Sequence, residues 1–398
     1  MTNRTTVGDY VSLVRGVTYK GNLVGKPGPA LLGLGSIQPG GGFRDGDYKT
    51  YGGECPKKLM LFPGDLFVSL KGATKDGKMI GSVARVPTTV PSGRLTQDTV
   101  KLEFRESNRE ISNFIYWILR TPHYRDYCAG RAMGSAVVAL SRDDFLSYPV
   151  PVSTSDRSRL VDLLEAFEEK ITLNRQMNET LEALAQTIFK SRFMDATATK
   201  LPKGWRAGTL GEVAENPRRS IQPDEIKSSM SYIGLEHMPR RSIALSEWES
   251  DTKLGSNKLE FKRGEILFGK LRPYFHKVGV APLDGVCSTD ILVVRPKKPE
   301  WFGFVLGHVS SVELVNHTDA ASTGTKMPRT NWNDLARFEV ALPPESLAAE
   351  FTATIRPMID RIIANIHESR TLADLRDALL PKLLSGELRV PAAGKEAD

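Results

Sequence analysis

The sequence has little of what builds metal sites or disulfide frameworks. Its 398 residues hold three cysteines, Cys55, Cys128 and Cys287, far apart and odd in number, with no C-x-x-C pair. That excludes a zinc ribbon and a disulfide scaffold, and it fits a reducing cytoplasm. Its six histidines are scattered, without the H-x-x-x-H spacing of a helical metal site. No run approaches the ~20 apolar residues that cross a bilayer, so no membrane partner is expected. The start, Met1-Thr2-Asn3-Arg4-Thr5-Thr6-Val7, lacks the basic end and apolar core of a secretory leader. With 40% apolar and 25% charged residues, the chain is neither fibrous nor wholly disordered. Its length allows two to four folding units.

Catalytic signatures are missing as well. Gly72-Ala73-Thr74-Lys75-Asp76-Gly77-Lys78-Met79 approximates a nucleotide phosphate loop, yet Met79 stands where the magnesium-binding hydroxyl belongs. The following Ile80-Gly81-Ser82-Val83 reads as strand, so a glycine turn between two strands fits better. Gly33-Leu34-Gly35-Ser36-Ile37-Gln38 starts like a dinucleotide fingerprint but runs into Pro39, where no helix follows. Glu225-Ile226-Lys227 has the spacing of a nuclease carboxylate–lysine pair without a second convincing carboxylate, and a solvated face explains it equally well. No G-x-S-x-G elbow is present, and Asn216-Pro217-Arg218 stops short of an amino-methyltransferase motif. The expectation is a chain without covalent chemistry and without a bound metal.

What is present is basic charge, unevenly placed. The net charge is +7, with a pI near 9.2. Residues 1–153 carry 20 Lys and Arg against 13 Asp and Glu, and residues 196–345 carry 21 against 18. Residues 154–195 and 346–398 are slightly acidic, at 6 against 8 and 7 against 8. A basic surplus is the footprint of a polyanion partner, although this surplus also suits ordinary surface charge.

The two basic blocks repeat one another. Val7-Gly8-Asp9-Tyr10-Val11 matches Leu210-Gly211-Glu212-Val213-Ala214, and Gly64-Asp65-Leu66-Phe67-Val68 matches Gly264-Glu265-Ile266-Leu267-Phe268. Thr96-Gln97-Asp98 falls against Ser288-Thr289-Asp290, and Gly134-Ser135 with Asp144-Phe145 against Gly324-Thr325 with Asp334-Leu335. Each block mixes short β-rich runs with a helix, one at about 111–128 and its counterpart near 300–316, and so reads as an α+β domain.

A longer pattern follows each block. Leu160, Leu164, Phe167, Ile171, Asn174, Asn178, Leu181, Ala185 and Ile188 alternate by four and three. An offset of 191 gives Phe351, Ile355, Met358, Ile362, Asn365, Ser369, Leu372, Arg376 and Leu379. Sustained 4/3 spacing is a coiled-coil seam. The two helices are expected to pair antiparallel through Leu164, Ile171, Asn174 and Leu181 on one and Ile355, Ile362, Asn365 and Leu372 on the other, with Asn174 near Asn365. Pro357 should kink the second helix or mark its beginning.

A duplicated basic α+β block, each copy followed by a matching long helix, resembles the specificity subunit of type I restriction–modification systems. The segments that carry the resemblance are Leu201-Pro202-Lys203-Gly204-Trp205 with Leu210-Gly211-Glu212, Gly269-Lys270-Leu271-Arg272-Pro273-Tyr274, Cys287-Ser288-Thr289-Asp290, and Leu379-Leu380-Pro381-Lys382-Leu383-Leu384-Ser385-Gly386-Glu387-Leu388. The likeness covers nearly the whole chain and is weakest in the first block. It implies two target-recognition domains, 1–153 and 196–345, a central helix at 154–195, a C-terminal helix at 346–390 and a disordered tail at 391–398. It further implies a non-catalytic subunit that binds double-stranded DNA, docks two methyltransferase subunits and, in the larger complex, two restriction subunits. S-adenosylmethionine, ATP and magnesium would sit on those partners, and this chain would hold no cofactor. The alternative is an enzyme, a nuclease or DNA methyltransferase with an unrecognised motif; a third reading is a scaffold without DNA contact.

Residue chemistry then selects DNA contacts, since Lys and Arg neutralise phosphates and Arg, Lys, Asn, Ser and Thr also reach base edges. The candidates are Lys71, Lys75, Lys78, Arg131 and Ser135 in the first block, and Lys270, Arg272, Lys277, Thr325, Lys326, Arg329 and Asn331 in the second. Any single one of them equally suits a solvated surface position. Tyr274 reads as core rather than as a stacking residue.

Overall fold

All four residues of the run Leu66–Ser69 are buried. Successive side chains of a strand leave on opposite faces, so a strand covered on both sides is an unbroken apolar run. Leu66 and Val68 enter one core cluster, and Phe67 enters another. Ile266–Gly269 behaves in the same way, with Ile266 and Phe268 facing one cluster and Leu267 the other. The computed structural model describes residues 5–44, 46, 48–72, 77–133, 138–197, 200–250, 254–324 and 326–385. It divides into two compact units, residues 1–168 with 374–398 and residues 169–373, each built round one of these strands. The tail expected to be disordered lies outside the described residues.

The first unit opens with the one-turn helix α1 (Val7–Tyr10) and strand β1 (Val11–Arg15). Then come β2 (Ala30–Leu32), β3 (Met60–Leu61), β4 (Leu66–Ser69), β5 (Val83–Arg85), β6 (Gly93–Leu95) and β7 (Thr99–Phe104). One antiparallel sheet has the order β1-β7-β4-β5, and a second has the order β2-β6-β3 with β2 and β6 parallel. The helix expected at about 111–128 is in fact two, α2 (Arg109–Ile118) and α3 (Pro122–Arg131). Pro122 has no amide to donate, so it starts a helix instead of continuing one, and the Thr121 hydroxyl caps it by accepting from the Tyr124 amide at 3.3 Å. The short α4 (Arg142–Leu146) closes the block.

The long helix α5 (Ser155–Phe189) follows and runs on through a π turn, Lys190–Met194. Its first half is fastened to the first block by a buried carboxylate. Glu165 accepts two hydrogen bonds from Arg85 at 2.6 and 2.8 Å, and a third from the Trp117 indole at 2.6 Å. A planar guanidinium matches both carboxylate oxygens at once, which fixes orientation as well as adding stability.

The second unit repeats the order of the first. It comprises β8 (Arg206–Thr209), α6 (Leu210–Val213), β9 (Ala214–Glu215), β10 (Ser220–Ile221), β11 (Ser231–Ile233), β12 (Lys258–Phe261), β13 (Ile266–Gly269), β14 (Val278–Val280), β15 (Gly285–Cys287) and β16 (Ile291–Pro296). Then come α7 (Phe302–Val309), α8 (Val312–Ala321), α9 (Trp332–Ala336) and β17 (Glu339–Leu342), which pairs with β8. The sheet β9-β16-β13-β14 has the strand order of β1-β7-β4-β5. In the sheet β10-β12-β15-β11 the parallel pair β11 and β15 corresponds to β2 and β6. The spaced motif matches thus mark a repeat of topology.

The last long helix, α10 (Glu345–Leu379), is followed by α11 (Lys382–Ser385). It runs antiparallel to α5. Phe189 packs against Phe351 with ring centroids 6.0 Å apart, Asn365 donates to Asn178 at 2.9 Å, and Arg157 donates to the Leu383 carbonyl at 3.0 Å. Leu164, Ile355 and Ile362 are buried in the seam, and Ile171, Leu181 and Leu372 are half-buried. Both seam asparagines are buried but do not meet. Asn174 donates to Glu368 at 2.8 Å and to Ser369 at 3.3 Å, so each asparagine faces the second polar seam position of the opposite helix. Nor does Pro357 begin a helix, because α10 passes through it with the ring on its exposed face. The carbonyl that loses an amide partner there, at the exposed Ala353, is open to water.

Candidate nucleic-acid interface

At the end of β4 the chain reaches Lys71, and the loop that follows α3 is laid beside it. Lys71 forms a bridge with Ala139, and Ala139 bridges back to Met133. The Gly72 amide donates to Val138 at 2.7 Å and the Leu140 amide to Leu70 at 2.9 Å. At the end of β13 the second unit builds the same corner. There Leu271 bridges Arg329, and Arg329 bridges Thr323. The Arg272 amide donates to Pro328 at 2.8 Å and the Thr330 amide to Lys270 at 3.0 Å.

Each corner contains one carboxylate from the turn before the neighbouring strand, Asp98 ahead of β7 and Asp290 ahead of β16. Lys71 lies 3.5 Å from Asp98. In the second unit the cation has changed sides of the bridge: Leu271 stands where Lys71 stood, and Arg329, in the place of Ala139, donates to Asp290 at 3.1 Å. Both pairs are partly exposed, where an ion pair contributes about 0–1 kcal/mol. Each pair holds a basic side chain against the corner. Asp98 and Asp290 were not among the residues read as site candidates, although the matching Thr-Gln-Asp and Ser-Thr-Asp segments carried the signal.

Of the expected DNA contacts, the second corner gathers Lys270, Arg272, Lys326 and Arg329. Lys326 and Arg329 are exposed, and Arg272 is half-buried with a terminal nitrogen 3.5 Å from the Lys326 carbonyl. Two others are turned to structural tasks. The Lys277 ammonium donates to the Leu235 carbonyl at 2.5 Å, and burial holds its pKa below the usual lysine range. Asn331 caps α9, its side-chain oxygen accepting from the amides of Asn333 and Asp334 at 2.9 and 3.4 Å. In the first unit Lys71 sits at the corner, and Lys78 is exposed on the turn beyond it. Arg131, at the end of α3, lies 3.8 Å over the Tyr127 ring and 3.7 Å from Asp144. Lys75, Ser135 and Thr325 lie outside the described residues. Tyr274, read as core, is instead 48% exposed at a turn tip.

Among the described residues no group of three or more His, Cys, Asp and Glu is arranged to hold a metal ion. No helix among them is long and apolar enough to cross a membrane. Glu182 and His308 are among the titratable groups buried in the second unit. Glu182 accepts from the Ile243 amide at 2.9 Å and the Ser242 hydroxyl at 3.0 Å, and burial pushes its carboxyl up to about 7. His308 is packed against Phe189 and Phe304 with ring centroids 4.9 and 4.5 Å away, and burial pushes its pKa down to about 3.

No family model matches the sequence. Among curated proteins it is similar to the type I restriction enzyme MjaIX specificity subunit of Methanocaldococcus jannaschii, at 24% identity over 307 residues, which covers 70% of each chain. It is also similar to the EcoDI specificity subunit of Escherichia coli, at 22% identity over 322 residues and again 70% of each. Among solved structures, the S subunit of a type I restriction–modification system from M. genitalium aligns over 96% of this chain and 97% of that one, with a TM-score of 0.57 and 13% identity. The duplicated frame is therefore also the fold of that subunit. In sequence and in fold, this chain is a relative of the type I restriction enzyme specificity subunits.

Proposed function

We propose that the chain is the DNA-reading, non-catalytic subunit of a type I restriction–modification enzyme, each lobe reading one half of an asymmetric bipartite site. The observation that carries this reading is the pair of corners: one backbone frame, one aspartate, and different side chains in the places that reach outward. Loops that vary on a constant frame are where recognition is set. Two frames with unlike corners suit two unlike half-sites. The paired helices would set the spacing of the half-sites and dock two methyltransferase subunits. S-adenosylmethionine would be held by those partners, and ATP and magnesium by restriction subunits where these join the complex.

The test uses the chain assembled with its methyltransferase subunits, on DNA libraries randomised separately in each half-site. Arg329→Ala and Lys326→Ala should change the preferred sequence of one half and leave the other intact, since a good base contact discriminates by roughly 1–3 kcal/mol. If both substitutions weakened every sequence equally and flattened the salt dependence, these residues would touch phosphates alone. Incubating the chain by itself with DNA and labelled S-adenosylmethionine should give no methyl transfer; transfer would favour the enzyme reading.

A further inference from the structure

Among the described residues four non-glycine residues have a left-handed backbone, and all are in the second unit: Arg218, Arg241, Arg272 and His276. Two of them, with φ of 51° and 50°, cap a single turn of three residues, Pro273–Phe275, between β13 and β14. Left-handed geometry is unfavourable for a residue with a Cβ, so it persists only where the surroundings enforce it. The first unit avoids the problem. Two residues before β5, the place His276 occupies before β14, it has Gly81 with φ 72°.

The surroundings of the second turn do enforce it. At one foot the Arg272 amide is fixed on the Pro328 carbonyl at 2.8 Å; at the other, the His276 carbonyl accepts from the Arg241 amide at 2.9 Å. The His276 ring is buried, with Nε2 2.9 Å from the Ser310 carbonyl. Phe275 is covered by the Arg240 guanidinium, 4.1 Å from its ring centre. Tyr274 alone is left outside, and its hydroxyl has no hydrogen-bond partner among the described residues. A phenol side chain held out on a clamped turn loses little freedom when it meets a partner.

Resting on the function proposed above, we infer that Tyr274 is a sequence-independent DNA contact, its hydroxyl donating to a backbone phosphate of the half-site that the second lobe reads. The chemistry favours phosphate over base. A single hydroxyl both donates and accepts, so it does not tell one base edge from another, whereas discrimination relies on paired polar atoms. Phosphate contacts, by contrast, fix register and orientation. The backbone of Arg272 joins the turn directly to the corner that carries the exposed Lys326 and Arg329, which gives this part of the lobe a basic surface suited to phosphate.

The experiment measures DNA binding by the assembled complex, wild type and Tyr274→Phe, on a half-randomised library and over a range of salt. Tyr274→Phe removes one oxygen from an exposed site, so the fold is not at stake. The expected result is a loss of roughly tenfold, equal for all sequences, with the salt slope unchanged because no charge is removed. A loss confined to some sequences of one half would make Tyr274 a base reader and overturn the inference, as would no loss at all. His276→Ala, which frees the turn, should weaken binding similarly and add little to Tyr274→Ala in the double variant; full additivity would count against a positioned contact. If the wild-type complex proves to have no sequence preference, the proposed function fails separately, while Tyr274→Phe still reports on phosphate binding.

Discussion

His308 and Glu182 show how burial acts on opposite charge types within one unit. His308 titrates at about 3 in the fold against 6.5 when free, so it stays neutral there while the unfolded chain takes up a proton. Its contribution is fully present above pH 6.5 and is lost as pH falls towards 3. Glu182 titrates at about 7 against 4.5, so its contribution is fully present below pH 4.5 and is lost as pH rises through 7. Between pH 4.5 and 6.5 the two slopes oppose each other, each at most about 1.4 kcal/mol per pH unit. Glu182→Gln should therefore stabilise the protein more at pH 7 than at pH 5, by roughly 1–3 kcal/mol. His308→Phe should remove the loss on acidification. Denaturant melts at several pH values check both; parallel shifts at every pH would refute the assignment. At this scale the sequence showed residue type and not direction. Lys277 and Asn331 have the chemistry of DNA contacts, but the Lys277 ammonium satisfies the carbonyl of Leu235, distant in sequence, which long-range packing decides, and the Asn331 side-chain oxygen caps the helix that starts next to it.

The seam of the helix pair was legible because periodicity reveals which face is buried. Its axial offset was not, since 4/3 spacing is the same whichever turn lies opposite. Pairing Asn174 with Asn365 would be one turn out of step with the observed contacts, Asn178 with Asn365 and Asn174 with Ser369. Cysteines at 178 and 365, with Cys55 replaced, should form an interhelix disulfide quickly under mild oxidation. Cysteines at 174 and 365, a helical turn apart along the axis, should form it slowly or not at all. Equal yields from both pairs would mean that the register slides. The break between α2 and α3 was missed, because the apolar spacing continues across it, although Pro122, a proline without an amide, stands at the head of the new helix. The parallel pairs β2–β6 and β11–β15 were not legible either, because strands this short carry no mark of the partner that reaches them from elsewhere in the chain.

For the whole molecule, duplication implies that whatever docks on one helix has an equivalent place on the other. Leu184 and Leu375 stand at the repeat offset, 45% and 47% exposed. Each has uncharged neighbours on its face, Thr180 and Thr187 in α5, Thr371 and Ala378 in α10. An exposed leucine on an uncharged strip is suited to a protein partner; under the proposed function, with two methyltransferase subunits docked on the helices, Leu184→Asp and Leu375→Asp should each lower the bound copies from two to one, and together to none. Native mass spectrometry of the assembled complex counts them directly; two copies on the double variant would place the docking face elsewhere. The duplication also has a historical side, visible in Asp98 and Asp290. Each anchors a cation, but the cation comes from opposite members of a bridged pair, Lys71 in one lobe and Arg329 in the other. An anchor that serves either side acts as a socket with two inlets. Descendants of one ancestral lobe can thus gain a cation at the second inlet before losing the first, and move a charge across the corner without an intermediate that leaves the acid empty.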